Sequence, residues 1–129
     1  MAALNQAMLI PSGPAGHHLF FVISGPAPVA GYGASTQVIL ASICSVPNNV
    51  PYDTACVLQV GQHPFIQHPS YVSYRHLRIE TEAHVDNMIA TNVWIPQPAC
   101  SNALLQQIVS QVCASRLTPR EFKQLFNCP

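Results

Sequence analysis

Charge is what this sequence has least of. Only 8% of its 129 residues are Asp, Glu, Lys or Arg, five acids against five bases for a formal net charge of zero, where a typical domain carries about 25%. A broad basic field is thereby excluded as a source of nucleic-acid affinity, because phosphate binding grows with the number of Lys and Arg contacts. The same scarcity leaves much surface polar without charge or apolar, a surface that a partner can cover. No run approaches the roughly 20 apolar residues that cross a bilayer, so no membrane association is expected. The stretch MAALNQAMLIPSG has neither a basic n-region nor a long apolar h-region, which argues against a signal peptide and for a cytoplasmic protein. Its five cysteines, Cys44, Cys56, Cys100, Cys113 and Cys128, are odd in number and never spaced as CxxC, so free thiols are expected. There is no Walker-type loop, no Gly-x-Gly-x-x-Gly and no HExxH. Asp53, Glu80, Glu82 and Asp86 form no evident carboxylate pair. ATP use, dinucleotide binding, zinc proteolysis and any resident cofactor drop out with these absences.

What remains is one domain's length of chain, enough to bury a single core without cross-links. Its first part alternates apolar runs with Pro/Gly breaks. LFFVIS (19–24), QVILASICSV (37–46) and TACVLQV (54–60) predict strands, with GPAPVAGYGAS (25–35) and PNNVPYD (47–53) between them as loop and turn. SYVSYRHLRIET (70–81) alternates as a fourth strand, placing Val72, Tyr74, His76 and Arg78 on one side and Tyr71, Ser73, Arg75, Leu77 and Ile79 on the other. MLIP (8–11) and NVWIP (92–96) are candidate short strands. After residue 100 the period changes. Leu104, Leu105, Ile108, Val109 and Val112 recur at helical spacing behind Ser101 or Asn102 as N-cap, predicting a helix over about 101–114. A second helix over about 119–126 has Thr118 as N-cap, Pro119 at its first position and Glu121 as capping-box partner. Strands within 8–96 followed by helices predict an α+β, mainly β domain: a small SH3-like barrel or strongly curled antiparallel sheet with C-terminal helices.

The chemistry concentrates in HPFIQHPSYVSYRH (63–76), which packs three histidines, two tyrosines and an arginine into one stretch. Each proline of the two His-Pro dipeptides holds the preceding histidine in an extended conformation. His63 and His68 are candidate general acids or bases, and Arg75 or Arg78 can clamp a phosphate in its planar fork. Metal-free RNA cleavage needs these parts: a base for the 2′-hydroxyl, a donor for the leaving oxygen and a cation for the phosphorane. His18, beside His17 just before LFFVIS, either faces a shared cleft or begins a strand. Two readings of the stretch stay open, a working segment or a Pro-braced joint between strands. Cys44, Cys56, His63 and His68 are of the right type for zinc but match no compact module, so no metal site is expected. Cys44, within an apolar strand, reads as a buried thiol.

The order of segments resembles the PemK/MazF-like toxins, small SH3-like barrels of bacterial toxin–antitoxin systems. HLFFVIS (18–24) looks like that family's central strand and VILASICSV (38–46) like the next one. FIQHPSYVSYRHLRI (65–79) looks like the serine-led strand entering the dimer-forming part, and SRLTPREFKQLF (115–126) like the closing helix. The family's arginine falls at His17-His18 here and its catalytic threonine at Cys44, with Ser45 next to it. The resemblance implies a homodimeric, metal-independent endoribonuclease that cleaves single-stranded RNA and is silenced by an antitoxin protein. With the family's catalytic pair unmatched, the expected catalytic set is His63, His68, Arg75 and His18. Ser70, Tyr71, Tyr74 and Arg78 are expected to bind substrate, Tyr71 by orienting or stacking on a base. The alternative is a non-enzymatic SH3-like module binding a protein or peptide through Tyr32, Tyr52, Tyr71, Tyr74 and Trp94.

Overall fold

The structure, a computed structural model, describes residues 3–13 and 16–129. Met1 and Ala2, part of the stretch read for a leader, lie outside the described residues. Six strands form one antiparallel sheet: β1 (Ala7–Pro11), β2 (His17–Pro28), β3 (Thr36–Ser45), β4 (Val57–Leu58), β5 (Ser70–Thr81) and β6 (Ile95–Gln97). Their spatial order is β4-β5-β3-β2-β1-β6. The sheet curls into a half-barrel that stays open at β4 and β6. The described residues also form three helices: α1 (Glu82–Ala90), α2 (Asn102–Ser110) and α3 (Arg120–Leu125). The fold is thus α+β and mainly β, in the strongly curled form of the expectation. No helix among the described residues is long and apolar enough to cross a membrane.

The two central strands are buried on both faces, which is why they read as continuous apolar runs. Leu19, Phe21 and Ile23 of β2 and Ile39, Ala41 and Ile43 of β3 join a core with Leu104, Leu105 and Ile108 of α2 and Phe122 of α3. The alternate residues Phe20, Val22, Val38 and Leu40 pack on the opposite face with Val85 of α1 and Trp94. Unbroken Val/Ile/Leu runs are usual where helices cover both faces of a sheet.

Several local expectations change. Residues 25–35 are not all loop, because β2 continues to Pro28. Gly25 allows this: its φ is +90°, and a Cβ there would stand 2.5 Å from the Gln37 carbonyl oxygen. TACVLQV shortens to two paired residues. Asp53 Oδ1 accepts the Ala55 N–H at 3.0 Å and Gln62 Oε1 the Gln59 N–H at 2.7 Å, so side chains take donors that a longer ladder would use. In β5 the simple alternation fails. Its register against β3 jumps from Ser42↔Ser73 to Leu40↔Arg78, which bulges residues 74–77 and sends Val72, Tyr74, Leu77 and Ile79 all into the α2 core.

Residues 82–90, given no element in the sequence reading, form α1. Thr81 Oγ1 accepts the His84 N–H at 3.1 Å and caps it, and Val85, Met88 and Ile89 make its apolar face. The strand expected at 92–96 starts later, at Ile95, after α1 and a left-handed Asn92. α2 is capped by Ser101, whose Oγ accepts the Leu104 N–H at 3.1 Å, and it ends at Ser110 rather than 114. Thr118 does not cap α3: its hydroxyl turns inward and donates to the Val112 carbonyl at 2.7 Å. The expectation of free thiols holds for Cys44, Cys56 and Cys100, but Cys113 and Cys128 are joined by a disulfide across 15 residues. That bond ties the chain end after α3 to the turn after α2.

Tyr74 anchors the sheet to the helical layer. Fully buried, it donates its hydroxyl to the Ile108 carbonyl at 2.6 Å. The Tyr74→Phe variant should lower unfolding free energy by about 1 kcal/mol in urea titration with an unchanged slope. A loss near zero would mean that this bond adds nothing to the docking of α2.

Candidate active site at one end of the sheet

The antiparallel order brings three strand ends together. β2 begins at His17, β3 ends at Ser45 and β5 begins at Ser70, and these are neighbouring strands. The register pairs Leu19 with Ile43 and Cys44 with Tyr71, so His18, Cys44 and Tyr71 lie side by side across β2, β3 and β5. Here the helices stop covering the sheet and polar side chains replace the apolar ones. A cleft of about 660 Å³ opens at this end, with His18, Cys44, Ser70 and Tyr71 on its sheet side and Phe65, Gln67 and His68 on its loop side.

Several contacts hold the loop from Gln59 to Pro69, among them the bond that Gln62 Nε2 donates to Gln107 Oε1 at 2.9 Å. Ile66 enters the core. His63 is 2% exposed, sits edge-on to Phe21 at 5.2 Å, and has both ring nitrogens engaged. Its Nδ1 accepts the Phe65 N–H at 3.1 Å, which leaves Nε2 to donate to the Pro98 carbonyl at 2.6 Å. His63 is therefore the Pro-braced joint, a positioning element outside the cleft. Residues 67–69 are exposed, and the Ser70 hydroxyl donates to the His68 carbonyl at 2.8 Å, fixing the backbone on which the exposed imidazole stands.

A second groove of about 470 Å³ shares His18 and Cys44 with the cleft and continues over the uncovered sheet face to Arg75, His76 and Arg78. The two arginines differ. Arg78 is paired with Glu80, Nε to Oε2 at 2.7 Å, and its guanidinium lies over Phe20 and Trp94 at 5.6 and 5.4 Å. Its charge is spent inside the fold. Arg75 is exposed on the bulge and makes no ion pair among the described residues, so its fork is open to a ligand. His76, absent from the expected set, shares the bulge and holds Ser73 Oγ at 2.6 Å through Nδ1. Strict alternation hides it, because only the register jump brings it to the groove.

Of the expected site residues, the structure brings His18, His68, Ser70 and Tyr71 to the cleft and Arg75 and Arg78 to the adjoining groove. It takes His63 and Tyr74 into the interior. Nor do the five aromatics of the binding-module reading form one surface: Tyr74 and Trp94 are buried, and Tyr32 is bonded to Glu121 at 2.7 Å. Only Tyr52 and Tyr71 meet, ring centroids 5.2 Å apart. Burial pushes the Tyr71 hydroxyl pKa up and the neighbouring Cys44 adds to it, so Tyr71 is a neutral hydrogen-bond donor at physiological pH. Among the described residues no three His, Cys, Asp or Glu side chains converge on a metal position.

Cys44, half-buried at the cleft, contrasts with the buried Cys56 and Cys100. Burial pushes the Cys56 thiol up, and pushes the Cys100 thiol to about 11. At pH 8 a thiol at about 11 is ionised in roughly one molecule per thousand. Native alkylation with iodoacetamide at pH 8 should thus label Cys44 first, with Cys56 and Cys100 reacting only on unfolding. Peptide mapping reads this, and equal labelling of all three would contradict the burial described. Compared with known proteins, the chain matches no family model and no curated protein, so the reading of the cleft rests on its own chemistry.

Proposed function

We propose that the protein is a metal-independent endoribonuclease acting on single-stranded RNA, the toxin of a toxin–antitoxin pair. One observation carries the reading: His18 and His68 reach a single cleft from the two sides of the β3 end, beside a groove that holds the exposed Arg75. The strands that bear or follow these histidines are two inter-strand steps apart, about 10 Å at the backbone, a span that two imidazoles with a phosphate between them can fill. One imidazole takes the proton of the 2′-hydroxyl as its oxygen attacks phosphorus. The other gives a proton to the departing 5′-oxygen, leaving a 2′,3′-cyclic phosphate and a free 5′-hydroxyl. Arg75 balances the charge that gathers on the phosphorane, and the Tyr71 hydroxyl donates to a phosphate oxygen or a base edge. Homodimerisation and an antitoxin protein as partner belong to the same proposal and draw on the family resemblance.

Incubating the pure protein with single-stranded RNA in excess EDTA tests this. The expected products end in cyclic phosphate, and a strand with 2′-deoxyribose throughout stays whole. His18→Ala and His68→Ala should each slow cleavage by about 100-fold or more with unchanged circular dichroism. His63→Ala should instead lower the melting temperature, since it removes both hydrogen bonds that the buried imidazole makes. Intact RNA from folded wild-type protein, or full-rate cleavage by both cleft variants, defeats the proposal.

A further inference from the structure

Beyond Tyr71 the surface continues into a third hollow, of about 440 Å³, built from residues 52–55 and 114–117. Tyr52 is its link to the cleft, since its ring rests against Tyr71 at 5.2 Å with a tilt of 39°. Its floor is rigid. The Ser115 hydroxyl donates to Asp53 Oδ2 at 2.6 Å, and Ser115 Oγ in turn accepts the Leu117 N–H at 3.1 Å. Those bonds fix the backbone around Arg116, which is exposed and makes no ion pair among the described residues. The nearby disulfide from Cys113 further restrains this segment. The Asp53 carboxylate is occupied by Ser115 and by the Ala55 N–H, so it is turned into the floor and satisfied there.

Three hollows thus follow one another: the Arg75 groove shares His18 and Cys44 with the cleft, and the cleft meets the Arg116 hollow at the Tyr71–Tyr52 pair. Two exposed arginines, without an ion pair among the described residues, flank a pair of histidines, with an aromatic step on one side. We infer that the hollow at Tyr52 and Arg116 is a subsite for a nucleotide flanking the scissile bond, Tyr52 stacking on its base and Arg116 holding its phosphate. A flat ring beside an isolated guanidinium suits one nucleotide of an unpaired strand, whose bases are free to stack and whose phosphates are about one residue's reach apart. The inference rests on the ribonuclease reading of the cleft, and it makes length of strand a determinant of affinity.

The test separates binding from cleavage by using 2′-deoxy oligonucleotides, which lack the attacking hydroxyl. Fluorescence anisotropy compares a dinucleotide with a pentanucleotide on the wild-type protein and on the Tyr52→Ala, Tyr52→Phe and Arg116→Ala variants, each checked for fold by circular dichroism. The wild type should bind the longer strand about tenfold more tightly, the scale of one stacked base. Tyr52→Ala and Arg116→Ala should erase that gain, Tyr52→Phe should keep it, and Arg116→Ala should reduce the salt dependence by about one phosphate contact. A gain with length that survives both alanine variants, or no gain with length at all, overturns the inference. RNA cleavage by the same samples is scored in parallel. Cleavage without a length gain removes the subsite and leaves the nuclease standing, whereas a length gain lost in the variants without any cleavage leaves a strand-binding hollow but removes the nuclease, and with it the subsite's place beside a scissile bond.

Discussion

Two-sided burial of β2 and β3 is the constraint from which the rest of the molecule follows. Strands that are apolar on both faces need cover on both, and the chain supplies α2 and α3 for one face and α1 with Trp94 for the other. The cover is unequal. α1 is short and follows directly from the far end of β5, so it shields only that end of its face. At the opposite end the same strands reach solvent, and there Phe20 and Leu40 give way to His18, Ser42 and Cys44 along the same face. The cleft lies where helical cover runs out, and its polar residues are those that an uncovered strand end can tolerate.

One buried imidazole helps to fix the loop that closes the cleft. With Nδ1 bound to the Phe65 N–H and Nε2 to the Pro98 carbonyl, His63 joins the loop before β5 to the segment between β6 and α2. An unpaired buried imidazole would be costly, and this one is satisfied at both nitrogens. Because His63 points inward and Ile66 follows it into the core, the intervening and following residues are turned out, His68 among them. Titratable chemistry at the cleft thus depends on a histidine that is itself withdrawn from exchange with a ligand.

The sequence makes plain what local pattern controls and hides what distant partners decide. β2, β3 and the start of α2 follow from runs and spacing, and Ser101 caps as its position suggests. α1 is masked in the sequence although Val85, Met88 and Ile89 stand at helical spacing, because the apolar alternation of β5 runs directly into it. His63 and His68 are indistinguishable in sequence, each followed by proline. A carbonyl 35 residues away decides which is buried. The bulge at residues 74–77 is equally invisible, since it is a mismatch of register between β5 and β3 and belongs to neither strand alone. Thr118 shows the same limit: a capping-box pattern loses to a carbonyl presented by the end of α2.

Low charge, which first argued against a nucleic-acid partner, has a narrower meaning once the cations are placed. Arg78 is neutralised by Glu80, while Arg75 and Arg116 make no ion pair among the described residues and lie in hollows that adjoin the histidine cleft. Two guanidiniums cannot create the long-range potential of a basic face, so the proposed RNA substrate would gain little steering from them. They can hold individual phosphates at defined positions, and the Tyr52–Tyr71 step offers stacking that salt does not screen. If the proposed ribonuclease reading holds, a surface of this kind should bind weakly and locally and favour a short unpaired strand over duplex, because only unstacked bases can reach the rings. The same absence of field leaves the exposed Phe65 on the loop side of the cleft free of the electrostatic penalty that a charged rim would set against a largely uncharged partner chain.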